Sequence, residues 1–186
     1  MKVLGIQSSP NEDGLTASMA LAALRGAEAA GAETELIHLR KLDIQTCRAC
    51  DRGWGICRTE YRCIIDDAFQ GVRDKMGEAE ALVISTPVYF GEVSEVAKSF
   101  LDRLRRCEFP MGEDSPIQGT PALAIAAAGG SGGGVITALE MLERYMRVIA
   151  IRSFDFVTVT RWTRDHKLPM AEAAGRRLVE FAQSEE

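Results

Sequence analysis

A regular alternation of strand-like and helix-like segments is the feature that most constrains the fold of this chain. Helices are predicted at about 15–30, 67–77, 92–106 and 169–183, with a further one beginning at residue 135. Because right-handed crossovers place such helices over both faces of a sheet, we predict an α/β fold with a doubly wound, five-stranded parallel sheet. We expect residues 1–186 to form a single domain. The predicted strands are Lys2–Gln7, Thr34–Leu39, Ala81–Thr86, Pro121–Ala128 and Phe154–Thr160.

The loop after the first strand has the composition of a phosphate-binding site. It leads directly into a helix, and the unpaired N–H groups of a helix N-terminus attract anions. Its hydroxyl and amide side chains add neutral donors, and Gly14 permits backbone angles that other residues avoid. The chain lacks G-x-x-x-x-G-K-[ST] and G-x-G-x-x-G, which favours a terminal monophosphate; taken alone, such a loop is more often an ordinary capped turn. The candidate residues are Ser8, Ser9, Pro10, Asn11, Gly14, Leu15, Thr16 and Ala17.

Two further loops are predicted to meet the first at the same edge of the sheet. In doubly wound sheets, ligands bind beyond the carboxyl ends of the strands, where the strand order reverses. One loop places an aromatic pair between proline and glycine, which lets the backbone approach a flat ligand beside a ring. The other is a glycine run that begins with Gly129 and Gly130. The residues of the aromatic loop are Pro87, Val88, Tyr89, Phe90 and Gly91.

The long connection at about 40–65 carries most of the cysteines. It has no clear period, and a connection of this length in a compact domain is usually functional or disordered. Arginine and lysine outnumber aspartate and glutamate within it. Clustered cysteines in a chain without an export signal indicate metal or redox chemistry before structural disulfides. The four candidate metal ligands are Cys47, Cys50, Cys57 and Cys63, whereas Cys107 is expected to be a small buried side chain.

Composition excludes several classes of function. The formal net charge of −5 argues against a nucleic-acid partner. No apolar run approaches the length of a membrane span, and residues 1–8 lack a secretory pattern. We therefore expect a cytoplasmic protein with no membrane partner.

The loop motifs resemble those of the NAD(P)H-dependent FMN reductase family, which has the flavodoxin-like fold, and most closely its iron–sulfur flavoprotein branch. The resemblance rests on 6–16, on Pro87-Val88-Tyr89-Phe90-Gly91 and on Lys98-Ser99-Phe100-Leu101-Asp102-Arg103. It implies FMN, with its phosphate at Ser9, Asn11 and Thr16 and its ring system against 87–91 and 129–130. Two departures, Asn11 in place of arginine and Leu15 in place of asparagine, predict weaker phosphate binding. Relatives generally complete the flavin site with subunit contacts, which implies a homo-oligomer, a dimer or a tetramer.

The same resemblance bears on the four clustered cysteines. Cys47 and Cys50 match the start of the branch's [4Fe–4S] motif and Cys63 its end, but Gly53 stands at the third cysteine and Cys57 comes four residues later. The ligand count therefore favours a cluster, while the spacing does not. Structural zinc and metal-free thiols stay open as alternatives.

Two hypotheses for function follow. The first is an FMN-binding oxidoreductase that takes electrons from NAD(P)H and exchanges them with an iron–sulfur cluster where one is bound. The flavin carries the chemistry, so no catalytic side chain is predicted. The second is a non-enzymatic flavodoxin-like electron carrier or redox sensor with a partner protein, whose cysteines bind zinc or no metal.

Overall fold

The structure, a computed structural model, describes residues 1–184. Strands and helices alternate along the chain as predicted, with short 3-10 turns at 39–41, 51–53 and 112–114. The elements are β1 (Lys2–Gln7), α1 (Leu15–Ala29), β2 (Glu33–His38), α2 (Phe69–Gly77), β3 (Ala81–Tyr89), β4 (Glu92–Val93), α3 (Glu95–Glu108), β5 (Pro121–Ala128), α4 (Val135–Val148), β6 (Arg152–Thr160) and α5 (Arg164–Gln183).

The sheet has six strands, one more than predicted. Five of them are parallel in the order β2-β1-β3-β5-β6, and β4 pairs with β3 in the antiparallel direction. The extra strand forms because Phe90 and Gly91 have φ of +53° and +83°, the pattern of a tight two-residue hairpin turn. This turn folds Glu92–Val93 back onto Val88 and Tyr89. The strand order reverses between β1 and β3, so the predicted ligand edge lies at a switch point.

Helices cover both faces of the sheet, each over its own apolar core. α1 and α5 pack on one face, whereas α2, α3 and α4 pack on the other. The first pair is in backbone contact, because a Cβ at Gly26 would lie 1.8 Å from Glu172 O and one at Gly175 would lie 1.8 Å from Ala23 O. This crossing fixes the position of α1, whose N-terminus follows the predicted phosphate loop. Within residues 1–184, no helix combines the length and the apolarity needed to cross a membrane.

Candidate functional site

The side chain of Gln7 shapes the loop that follows β1. It is fully buried, its Oε1 accepts from the Ser9 N–H at 2.7 Å and its Nε2 donates to Ser9 O at 3.2 Å. Nε2 also lies 2.6 Å from Nδ1 of half-buried His38 at the end of β2. The Gln7 side chain therefore fixes the loop backbone at Ser9, and His38 packs against Gln7.

The N-terminus of α1 presents unpaired N–H groups. The first helical hydrogen bond runs from the Ser18 N–H to Gly14 O at 2.9 Å, so the N–H groups of residues 15–17 have no acceptor within the helix. Gly14 caps the helix without a side-chain hydrogen bond, and the first turn carries no acidic residue. Thr16 is 3% exposed, and its hydroxyl has no hydrogen-bond partner among residues 1–184. This arrangement fits a phosphate.

The loop residues divide into those that face the site and those that hold the loop. The Ser8 N–H donates to Ser85 O at 3.2 Å, and Ser8 O accepts from Ser94 Oγ at 3.3 Å. Ser9 Oγ accepts from the Asn11 N–H at 3.1 Å, which leaves the Ser9 hydroxyl proton available. Ala17 is buried in the core and Leu15 is half-buried, so each offers a ligand its backbone N–H, while Pro10 is exposed.

The predicted role of Gly14 in backbone freedom is wrong. Its φ of −74° is open to any residue. A side chain is excluded for a different reason, because a Cβ there would lie 2.9 Å from the Cβ of Asn11. The glycine therefore permits a close approach within the loop rather than an unusual conformation.

The other two loops form an open cleft at the same edge of the sheet, and no residue of the phosphate loop is part of its lining. The cleft measures about 640 Å³, and its lining includes residues 88–91, Ala128 and 130–134. Pro87 lies within β3 and Gly129 at the end of β5, and neither is part of the lining. Of the predicted ring-binding residues, Val88, Tyr89, Phe90, Gly91 and Gly130 therefore come together.

Gly91 and Gly134 join the two sides of the cleft. A Cβ at Gly134 would lie 2.5 Å from the Gly91 Cα, and its φ of +81° itself favours glycine. The Thr137 hydroxyl lies 2.7 Å from Gly91 O and 3.0 Å from Gly134 O, so its proton is shared between the two carbonyls. Backbone contacts between the two loops therefore fix the shape of the cleft.

The aromatic pair in the hairpin is exposed to different degrees. Phe90 is fully exposed and Tyr89 is 40% exposed. Burial, and then the negative charge of Glu95, raise the pKa of Tyr89, with Arg40 opposing them. The phenol therefore stays protonated at neutral pH and can donate a hydrogen bond.

The four predicted cysteine ligands line one cavity beside the C-terminal half of α3. All four are half-buried, and Cys107 of α3 lines the same cavity. Burial raises the pKa of Cys107 to about 12, which keeps it a neutral thiol. The cavity measures about 20 Å³ with the side chains in place, and within residues 1–184 no three Cys, His, Asp or Glu side chains converge on a point for one metal ion.

Two arginines of α3 also line this cavity, together with Arg48 of the loop. Arg103 is 1% exposed and binds Asp67 through two hydrogen bonds of 2.6 and 2.9 Å. Arg106 donates to Gly53 O and stacks 5.0 Å from the Trp54 ring centroid. The Nε atoms of both arginines are buried without a partner among the residues that the structure describes.

The spacing of Arg103 and Arg106 from Cys107 along α3 could have predicted from the sequence that these arginines lie near the cysteines. Cys107 follows Arg103 by four residues, and Arg106 by one, which places the three side chains around one turn of α3. The donor set of the cavity, four loop thiols with two unpaired N–H groups, fits a thiolate-bound iron–sulfur cluster in kind and in number. The space fits one only if the loop opens around it.

The sequence is similar to proteins of a known family over most of its length. Residues 1–162 match the model of a family described as NADPH-dependent FMN reductase. An iron–sulfur flavoprotein of Methanocaldococcus jannaschii is 30% identical over 148 residues, which cover 80% of this chain and 72% of that protein. An iron–sulfur flavoprotein of Methanosarcina thermophila is 28% identical over 151 residues, covering 80% and 74%.

A solved structure of a flavone reductase superposes with a TM-score of 0.78 at 21% identity. The match covers 98% of this chain but 63% of that longer one, and at this identity the likeness shows the shared flavodoxin-like fold alone.

Proposed function

Because the chain belongs to the NADPH-dependent FMN reductase family, and so is an FMN-binding oxidoreductase, we propose that NAD(P)H reduces its flavin and that the flavin exchanges electrons with a [4Fe–4S] cluster in the cysteine cavity. The observation that carries the flavin site is the uncapped N-terminus of α1 with the unpaired hydroxyl of Thr16. The names of the iron–sulfur flavoproteins, together with the donor set of the cavity, support the cluster.

The phosphate would be held mainly by neutral donors. The N–H groups of residues 15–17 and the hydroxyls of Ser9 and Thr16 surround the start of α1. Asn11 is exposed and contributes no charge. The positive end of the helix dipole therefore supplies most of the attraction for the dianion.

The cleft between 88–91 and 130–134 would hold the ring system. Gly91 and Gly134 hold the two loops of the cleft in backbone contact, and the protonated Tyr89 can donate a hydrogen bond at the edge of the cleft. When bound, the flavin accepts a hydride and passes on single electrons. The chain itself binds and orients the flavin, and no side chain is assigned as an acid, a base or a nucleophile.

The cluster would be held by Cys47, Cys50, Cys57 and Cys63, the four thiols of the 40–65 loop. The loop packs against the α2–α4 side of the sheet through partly buried side chains that include Cys57 and Cys63. Binding requires it to open from the compact arrangement described above.

Replacement of Thr16 by valine tests the flavin site. The change keeps the shape of a buried side chain and removes one hydroxyl, and a hydrogen bond to a charged group contributes about 1.5–3 kcal/mol. We expect the Kd for FMN to rise roughly 10- to 100-fold in calorimetric titrations. Ser18→Ala is the matched control, because Ser18 lies on the same turn about 200° around the helix. Wild-type affinity of Thr16→Val would remove Thr16 from the site, and equal affinity of the wild type for riboflavin and FMN would refute the phosphate site altogether.

Rapid mixing of the FMN-loaded protein with NADH or NADPH tests the reductase. Fast bleaching of the flavin absorbance is expected; reduction only by a protein donor would favour the electron carrier. Iron and sulfide analysis after anaerobic reconstitution tests the cluster, with about four of each expected per chain and large losses in Cys57→Ser and Cys63→Ser. Stoichiometric zinc, or four alkylatable thiols without iron, would each refute it.

The dimer or tetramer stays a prediction. The full exposure of Phe90 beside the open cleft is compatible with a second subunit there. Light scattering on the FMN-loaded protein measures the mass, and a monomer would contradict this prediction.

A further inference from the structure

We propose that Arg103 and Arg106 form a preorganised donor wall for the cluster, with their Nε–H groups donating hydrogen bonds to its sulfur atoms. The inference rests on the proposed cluster site and adds two residues of α3 that act on the same group. Hydrogen bonds of this kind stabilise the negatively charged cluster and set how easily it is reduced.

The side chain of Arg103 is fixed on all sides except one. Its two terminal nitrogens bind Asp67, and Nη1 also donates to Gln45 O at 3.0 Å. The guanidinium carbon lies 4.2 Å from the ring centroid of Phe69. Nε–H is the donor left over, and it is buried in a residue that is 1% exposed. A buried N–H without an acceptor is unfavourable, and the guanidinium already interacts with the Cys63 thiol of this cavity, so the leftover donor lies where cluster sulfur would accept from it.

Arg106 repeats this arrangement one turn later on α3. Its Nη1 donates to Gly53 O and its guanidinium stacks on Trp54, while Nε is again buried and unpartnered among residues 1–184. Gly53 has φ of +126°, a conformation that a cysteine at this position would not adopt readily. The Gly53 carbonyl thus accepts from Arg106, and the third thiol of the site comes from Cys57.

The two arginines differ in charge balance. Asp67 neutralises Arg103, whereas no salt bridge pairs Arg106 within the described part of the chain. Four thiolates around a [4Fe–4S] core carry a net negative charge, so Arg106 would supply a compensating cation, as would Arg48 on the loop side of the cavity. Both donors lie on a regular helix, and loop atoms Gln45 O and Gly53 O hold their guanidinium groups, so the proposal requires these two contacts to persist when the loop opens.

Arg106→Lys tests the proposal, because it keeps the cation and removes the Nε–H. Arg105→Lys is the matched control, since Arg105 lies on the same turn and does not line the cavity. With full-length, anaerobically reconstituted protein, we expect Arg106→Lys to release iron to a chelator about tenfold faster than the wild type, and the control to match the wild type. Equal release rates and equal reduction potentials of wild type and Arg106→Lys would overturn the proposal.

A second measurement needs no variant and separates a hydrogen bond from a merely structural role. In wild-type protein labelled with ¹⁵N-arginine, pulsed EPR of the reduced cluster should detect coupling to arginine nitrogen. Absence of coupling in a fully loaded protein overturns the donor wall while leaving the cluster intact. A wild type that binds no iron and sulfide overturns both, and the metal analysis identifies that case.

Discussion

Replacement of Asp67 by asparagine should strongly destabilise the protein. The carboxylate side chain has no exposed surface and accepts four hydrogen bonds. Two come from Arg103, one from the Gln45 N–H at 2.8 Å and one from the Phe69 N–H at 3.0 Å. Asparagine keeps the size but loses the charge, and it turns one acceptor into a donor that faces other donors. Breaking a buried pair by removing one partner costs about 3–5 kcal/mol.

Urea denaturation of the apoprotein, followed by circular dichroism, measures this loss. In thermal unfolding, a loss of this size should lower Tm by about 6–20 °C, at roughly 2–4 °C per kcal/mol for a chain of this size. Asp66→Asn is the matched control, because Asp66 is exposed and its substitution should change the unfolding free energy by less than about 0.5 kcal/mol. A loss below about 1 kcal/mol in Asp67→Asn would refute the assigned strength of this pair.

The pH dependence gives an independent check. Burial acts to raise the pKa of Asp67, but the Arg103 hydrogen bonds and the two backbone N–H groups outweigh it and lower the pKa. The carboxylate therefore contributes its stability fully above its unfolded pKa of about 3.9, and the contribution is lost as pH falls through the lower folded value. The gap between wild type and Asp67→Asn should be constant near neutrality and shrink on acidification. A gap that stays unchanged at pH 2–3 would contradict this assignment.

Two glycine substitutions extend these predictions. Gly134→Ala should weaken FMN binding, since the new Cβ would lie 2.5 Å from the Gly91 Cα and alanine would have to adopt φ of +81°. Titration with FMN measures the Kd, and an unchanged Kd would show that this contact does not shape the FMN site. Gly175→Ala should destabilise the chain by about 1–3 kcal/mol or more through overpacking against α1, measured by urea denaturation. Gly71→Ala is its control, because nothing lies within 4 Å of a Cβ there, and equal effects would contradict the close crossing.

Much of the fold follows from local pattern. β1 and β5 have the predicted bounds to the residue, because their apolar runs are short and end at small or polar residues. β4 had no such signal, since two residues carry no periodicity and their pairing depends on the turn at Phe90. For the same reason α3 was predicted from Glu92, although it begins at Glu95 behind the N-cap Ser94.

A long-range partner explains the error at the start of α2. The helix predicted from residue 67 rests on the spacing of Asp67 and Gln70, which is that of a capping box. Asp67 does accept from the Phe69 N–H, but it also binds Arg103, Gln70 binds Asp74 rather than the backbone, and α2 begins at Phe69. The partner of Asp67 lies 36 residues away along the chain, beyond any local pattern. The position of the loop between β1 and α1 was easier to predict, because it follows from the adjacent strand and helix patterns alone.

The turn at Phe90 has a practical consequence for protein engineering. A fully exposed phenylalanine at φ of +53° combines apolar exposure with a backbone conformation that asparagine or glycine adopts at less cost. A thermostability screen would therefore enrich Phe90→Asn or Phe90→Gly, because each relieves the turn. Such a screen would also remove a fully exposed ring from the wall of the proposed flavin cleft, so selection on melting temperature alone would act against the ligand contact proposed for this position.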